Sequence, residues 1–251
     1  MSTNETTTWA VSVDTTGSTP SASLTVSLNG GTPTPFTIKG VCYSPCPIGG
    51  SNAFGPAIGD WFWDGFTVNG TQITDWSGTW SNDLPLIAAL GANTIRVYCF
   101  LATQLPPASA SQVFTHTSFL DACYANGLSV IVGFPLPQSL FLLGQAPPAP
   151  EDIAWWTQNL LDTVTQVGSH PAVLGFTIAN EVDNGAVSTY GPTADAEYWW
   201  GQVQAMAAIA KAAAPGKLVG IANHDDPGIC ANAASYMASC TEIDFWGVYS
   251  Y

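Results

Sequence analysis

Basic residues are nearly absent from this chain: its 251 residues carry 4 lysines and arginines against 18 acids, a net charge of −14. That balance repels polyanions, which excludes nucleic acid and anionic membrane surfaces as expected partners. The six cysteines, Cys42, Cys46, Cys99, Cys123, Cys230 and Cys240, form no CxxC pair and no His/Cys cluster at metal-ligand spacing, so no metal site is expected. Cys230 and Cys240 are close enough in sequence to close a short disulfide loop in an oxidising compartment; buried free thiols are the alternative. Long apolar runs are missing too. The longest, 128–143, is broken by Pro135 and Pro137 and is too short to span a bilayer. The start of the chain has no basic stretch followed by an apolar one, so no signal peptide is read there. No GxGxxG or GxxxxGK turn follows a strand-like run, which removes the usual cradle for a nucleotide, and no cofactor is called for.

What is present is apolar and aromatic. Hydrophobic residues make up 47% of the chain, enough for one sizeable core, and ten Trp, eight Tyr and eleven Phe serve equally as core material or as platforms for sugar rings. Residues 1–35 are rich in Ser, Thr and Gly, with period-two alternation at Trp9-Ala10-Val11-Ser12-Val13 and Leu24-Thr25-Val26-Ser27-Leu28, which predicts a β-hairpin-like extension. From residue 36 to 251, six short apolar runs, 37–43, 94–99, 128–134, 173–179, 218–222 and 245–249, alternate with amphipathic stretches. That alternation is the signature of βα units around a parallel sheet. Pro150-Glu151-Asp152 opens one helix, with Ile153, Trp156, Leu160, Val164 and Val167 at helical spacing and Gly168 as its stop. A second helix is predicted over 194–213, capped by Thr193 and stopped by Pro215-Gly216. Without a nucleotide-binding turn, an open doubly wound sheet is disfavoured. The predicted fold is an α/β (β/α)₈ TIM barrel, of which six βα units are apparent.

In such a barrel the chemistry gathers where the strands end. The fourth run, Val173-Leu174-Gly175-Phe176-Thr177-Ile178-Ala179, delivers Asn180 and Glu181 at its exit. A carboxyl partly enclosed there has its charged form disfavoured, which prepares it to donate a proton to a leaving oxygen. The bland reading is a helix cap. The second run carries Arg96, the single arginine, among apolar neighbours, and a buried guanidinium needs a buried acceptor. The loop 44–80, with Trp61, Phe62, Trp63, Phe66, Trp76 and Trp80, is read as part of a sugar-binding wall, or else as a satellite hydrophobic cluster.

Five segments then share one resemblance. Ile38-Lys39-Gly40-Val41-Cys42-Tyr43, Leu90-Gly91-Ala92-Asn93-Thr94-Ile95-Arg96-Val97-Tyr98 with Asp83-Leu84-Pro85 before it, Ala179-Asn180-Glu181-Val182, His224-Asp225-Asp226 and Asp244-Phe245-Trp246-Gly247-Val248-Tyr249-Ser250-Tyr251 occur in register. The chain resembles the retaining (β/α)₈ glycosidases whose fourth strand ends in Asn-Glu, and within them the fungal cell-wall β-1,3-glucanosyltransferases. The resemblance implies Glu181 as general acid/base, Asn180 as the amide on the sugar 2-hydroxyl and Arg96 as the residue that orients the nucleophile. It also implies Tyr251, Tyr43 and Tyr98 at the mouth, His224, Asp225 and Asp226 on sugar hydroxyls, and a β-linked polysaccharide, β-glucan first, as substrate. Such a substrate implies an extracellular or cell-surface setting.

Two features depart from the family. The segment after the third strand, Pro135-Leu136-Pro137-Gln138-Ser139-Leu140-Phe141-Leu142-Leu143, lacks the family's acid. The resemblance also places the nucleophilic glutamate on a seventh strand, whereas six are read here. Glu242 and Asp244 stand before the sixth strand and Glu197 lies inside a helix, so none replaces it. The expectation is therefore a fragment of a longer enzyme, with a non-catalytic carbohydrate-binding remnant as the alternative.

Overall fold

A computed structural model describes residues 4–45, 62, 66–68, 71–73, 77–102, 114–136, 148–181, 194–224 and 238–248. The chain begins with β1 (Thr7–Asp14), β2 (Ser21–Leu28) and β3 (Thr34–Pro35), which form an antiparallel sheet in that order. β1 and β2 pair along their whole length, Trp9 opposite Val26 and Val11 opposite Leu24, so the alternation read in the sequence turns one apolar row inward. Next come β4 (Gly40–Tyr43), the small hairpin β5 (Phe66–Val68) and β6 (Thr71–Ile73), α1 (Ser77–Ala89) and β7 (Thr94–Val97). They are followed by α2 (Thr117–Ala125), β8 (Ser129–Phe134), α3 (Pro150–Val167), β9 (Val173–Ile178), α4 (Ala194–Ala213), β10 (Leu218–Asn223) and β11 (Phe245–Val248).

The six strands β4, β7, β8, β9, β10 and β11 form one parallel sheet whose spatial order is their order in the chain. A doubly wound sheet reverses its order at a switch point and puts helices on both faces. This sheet does neither. Trp80 and Leu84 of α1, Phe119 and Leu120 of α2, Leu160 and Val164 of α3 and Val203 and Met206 of α4 join a single core with Ile95, Val97, Val130, Val132, Phe176, Ile178, Val219 and Ile221. All four helices among the described residues therefore cover one face, the winding of a barrel wall. β9 and β10 are buried at every residue, which explains their unbroken apolar sequences.

The opposite face is closed at one end by the N-terminal sheet. Trp9, Leu174 and Leu218 form a second cluster with Val11, Leu24, Val26, Phe36, Ile131 and Phe245, beside an apolar cavity of about 260 Å³. Lys217 ties the two sheets together. Its Nζ donates to Thr7 Oγ1 at 2.6 Å and to the carbonyls of Val173 at 2.8 Å and His170 at 3.2 Å, while the Trp9 amide donates to the Gly216 carbonyl at 2.8 Å. Burial without a paired carboxylate among the described residues pushes the Lys217 ammonium down to about 8 from 10.5. Below pH 8 both states hold the proton and the folded state bears the cost of burying it. Between about pH 8 and 10.5 the unfolded chain retains a proton that the folded chain has released, so stability rises with pH in that window. Denaturant unfolding is expected to show wild type gaining on Lys217→Met by up to about 1.4 kcal/mol per pH unit there, and nothing below it.

Glycines set how closely the strands and helices approach. A Cβ on Gly133 would stand 2.4 Å from the Val97 carbonyl oxygen, and one on Gly175 2.4 Å from that of Leu218. Neither backbone oxygen can yield without breaking the ladder. Gly175→Ala is expected to cost about 3 kcal/mol or more, read as a shift in the urea midpoint. Gly168 is the C-cap of α3, the stop that was predicted; its φ of −63° is ordinary helical, and it also allows close packing, since a Cβ would lie 2.6 Å from Ala214 Cβ.

Candidate functional site

The site forms where β9 leaves the sheet. Past Ile178 the backbone takes left-handed turns at two residues that are not glycine, Ala179 (φ 63°) and Glu181 (φ 49°), with Asn180 between them. Such conformations cost free energy for residues with a Cβ and persist only where the surroundings fix them. Here both neighbouring strands do so: the Ala179 amide donates to the Phe134 carbonyl at 3.0 Å and the Glu181 amide to the Ala222 carbonyl at 2.8 Å. The Asn-Glu pair is thus held on both sides by β8 and β10.

Arg96 reaches Asn180 from two strands away. Its Nη2 donates to Asn180 Oδ1 at 2.9 Å, and its guanidinium lies over the Tyr98 ring, 4.7 Å from the centroid. Burial pushes the guanidinium below its ordinary value, partly offset by contacts with Cys42 and Tyr98. The bond to Oδ1 fixes the amide's orientation, with its oxygen toward Arg96. Glu181, with its side chain 14% exposed, has Oε2 3.6 Å from Nδ1 of His224 at the end of β10. Arg96, Tyr98, Asn180, Glu181 and His224 are thereby brought together from three strands.

Tyr43 is placed elsewhere. β4 pairs with β7 so that Cys42 is opposite Arg96 and Tyr43 opposite the core residue Val97, which turns Tyr43 toward the helices. Its hydroxyl donates to Asp83 Oδ2 of α1 at 2.8 Å, and its ring meets Phe62 edge-on. Burial and the Asp83 carboxylate push its ionisation far above the ordinary tyrosine range. The residue of β4 that does face Arg96 is Cys42, which sequence reasoning missed. A cavity of about 310 Å³ is lined by Cys42, Arg96, Thr177, Ala222 and Phe245 with their neighbours. Thr177, also missed, is a lone hydroxyl in the apolar β9, and that isolation was the available signal.

Two of the six aromatic residues read into the loop's sugar-binding wall lie in the core instead. Phe62 is fully buried against Phe100 and Phe119, and Trp80 packs on Phe119, so both belong to the main core. Trp61, Trp63 and Trp76 lie outside the described residues, as do Tyr251, Asp225 and Asp226. Cys240 is a buried free thiol, with Sγ 3.9 Å from the Trp200 carbonyl, and Cys230 lies outside the described residues. Among the described residues no three metal-ligating side chains cluster, and no helix is long and apolar enough to cross a membrane.

No family profile matches the sequence. The 1,3-β-glucanosyltransferase GAS5 of Saccharomyces cerevisiae is 28% identical over 154 residues, 61% of this chain and 25% of that protein. The chain resembles the fungal β-1,3-glucanosyltransferases. Saccharomyces cerevisiae Gas2p, solved as a variant with laminaritetraose and laminaripentaose, superposes with a TM-score of 0.62 at 18% identity, over 98% of this chain and 45% of that one. A β-glucuronidase of Bacteroides uniformis gives 0.55 at 17% identity, over 92% and 24%. At those identities the likeness to the solved structures is one of fold, and the six-stranded wall corresponds to part of their barrels. The chain spans a quarter of the glucanosyltransferase relative and under half of the Gas2p chain.

Proposed function

We propose that this chain carries the acid/base half of a retaining glycoside hydrolase or transglycosylase acting on β-glucan outside the cell. The observation that carries the proposal is the junction of Asn180 and Glu181, clamped by the ends of β8 and β10, with the single arginine holding the Asn180 amide. In double displacement one carboxyl protonates the departing oxygen and then activates water or an acceptor sugar, while a second, about 5 Å away, attacks the anomeric carbon. Glu181 takes the first part. The Asn180 NH₂, its orientation set by Arg96, holds the sugar 2-hydroxyl, whose hydrogen bond strengthens as the oxocarbenium-like transition state forms. His224 borders Glu181 and completes the polar rim, with Asp225 and Asp226 following it in sequence and Tyr251 assigned to the nucleophile's side.

The attacking carboxylate belongs to a residue outside the described set. Asp244 precedes β11 and is engaged by Lys211 Nζ at 2.6 Å and the Val219 amide at 2.8 Å; Asp83 receives Tyr43, and Asp121 lies 3.2 Å from His170. That engagement of the other carboxylates favours a second reading, a module that binds saccharide without cleaving it. Calorimetric titration with laminaripentaose, coupled to product analysis on an enzyme that carries this chain together with the attacking carboxylate, separates the two. Binding with cleavage or transfer supports the enzyme, binding without products supports the module, and no binding overturns both.

A further inference from the structure

We propose that His170 is an acid-operated latch: taking up a proton at Nδ1 loosens the N-terminal sheet from the turns that lead into β9 and β10. The Ala172 amide donates to His170 Nδ1 at 3.1 Å, and Nε2 lies 3.2 Å from Asp121 Oδ1 of α2. A backbone N–H can only donate, so Nδ1 carries the lone pair and Nε2 the hydrogen offered to Asp121. The neutral tautomer is thereby fixed. The same short turn holds β1: its Pro171 carbonyl accepts from Thr7 Oγ1 at 3.0 Å, and its His170 and Val173 carbonyls accept from Lys217 Nζ at 3.2 and 2.8 Å. Lys217 Nζ donates on to Thr7 Oγ1 at 2.6 Å, and the Trp9 amide reaches the Gly216 carbonyl at 2.8 Å. These contacts lie where β9 and β10 enter the sheet, the end opposite Asn180 and Glu181, so the latch does not rest on the saccharide chemistry proposed there.

A proton on Nδ1 replaces the acceptor of the Ala172 amide by a second donor. Ala172 is buried, so its amide then bears the cost of desolvation uncompensated, and the turn that carries the three carbonyls has reason to move. The charged groups around the ring divide. Asp121 of α2 attracts an imidazolium, whereas Lys217, an ammonium below about 8, repels it. Glu5, ahead of β1, is engaged by the Tyr124 hydroxyl of α2; Thr7 is neutral, and the last turn of α3, 164–167, carries no charge. Burial, the largest influence, pushes the imidazole below its ordinary 6.5; Asp121 opposes that push and Lys217 adds to it. Above pH 6.5 neither the latched nor the released state holds the proton. As the pH falls from there the released turn takes it up first, and the latched state loses ground until the pH passes its own lower value, where the loss levels off. Acid therefore favours release.

The test is hydrogen exchange of the native chain, read by peptide mass spectrometry at about pH 7.5 and about pH 5, with each rate corrected for the intrinsic pH dependence of amide exchange. Peptides covering β1 are expected to exchange at least about threefold faster at the lower pH, while those covering β7 are unchanged. A smaller rise in β1, or a rise shared equally by β7, overturns the proposal. His170→Gln keeps a polar side chain without a titrating group and is expected to abolish the rise. A rise that persists in that variant overturns the latch. Should the variant not fold, Asp121→Asn decides: it keeps an acceptor for Nε2 but removes the charge that favours the imidazolium, so the acid-driven rise should exceed that of wild type. A rise equal to or smaller than that of wild type overturns the proposal.

Discussion

In an enzyme that carries this chain together with the attacking carboxylate, replacing Glu181 by Gln is expected to lower turnover of laminari-oligosaccharides by about 10²–10⁴-fold while changing their binding by no more than a few-fold, the range that a positioned general acid/base supplies. The substitution keeps the side chain's size and leaves the Glu181 amide on the Ala222 carbonyl, so the left-handed turn that presents it is retained. What is lost is the proton. Glutamine cannot protonate a departing glycosidic oxygen or activate the incoming hydroxyl, so both steps slow together. Steady-state rates on laminaripentaose, with calorimetric binding measured on the same preparations, check this. Parallel loss of binding and turnover would indicate a structural role for the residue instead.

The second large effect belongs to Arg96. Arg96→Met keeps much of the apolar length of the side chain but removes the donor that holds Asn180 Oδ1 at 2.9 Å. The amide is then free to rotate, and a misplacement on the order of 1 Å at a reacting centre is worth about a 100-fold loss in rate. Turnover is therefore expected to fall about 100-fold. Stability should fall by about 1–3 kcal/mol as well, because the partly buried Asn180 oxygen loses its donor. Arg96→Lys is expected to rescue stability better than rate. An ammonium replaces the charge but not the planar group that lies over Tyr98 while donating sideways to Asn180. Measuring kcat and KM separately alongside thermal melting of both variants distinguishes positioning from general destabilisation.

The fold was legible because its signals are local. The six apolar runs became β4, β7, β8, β9, β10 and β11 to within a few residues, and the helices at 150–167 and 194–213 began where they were read. Pro150 at the first turn with Glu151 and Asp152 behind it, and a stripe from Ile153 to Val167, leave little freedom for another conformation. The sheet order and the placing of all helices on one face were inferred only through the missing nucleotide loop. They depend on which strands pair, and pairing is a long-range property.

The same distinction governs the site. Asn180 and Glu181 stand out because they interrupt an apolar strand at its end, and Arg96 because it is the single arginine. The face occupied by Tyr43 was not legible, since a one-residue change in register exchanges Tyr43 with Cys42 across the sheet. Only the pairing of Cys42 with Arg96 settles it. The left-handed turns at Ala179 and Glu181 gave no warning because neither residue is glycine; they are imposed by hydrogen bonds to Phe134 and Ala222, distant in sequence. Nothing in the sequence around Lys217 marks it for burial. The three oxygens that bury it come from Thr7, His170 and Val173, again beyond any local pattern.

The measurement that bears most directly on Glu181 as the acid/base of a retaining reaction is ¹H NMR of the first products released from laminaripentaose, recorded for an enzyme that carries this chain together with the attacking carboxylate and for its Glu181→Gln variant side by side. The account predicts that the reducing end appears first in the β configuration, accompanied by longer transfer products, and that the Gln variant binds the saccharide without producing either. An α-configured first product, or equal turnover by the two chains, would contradict it.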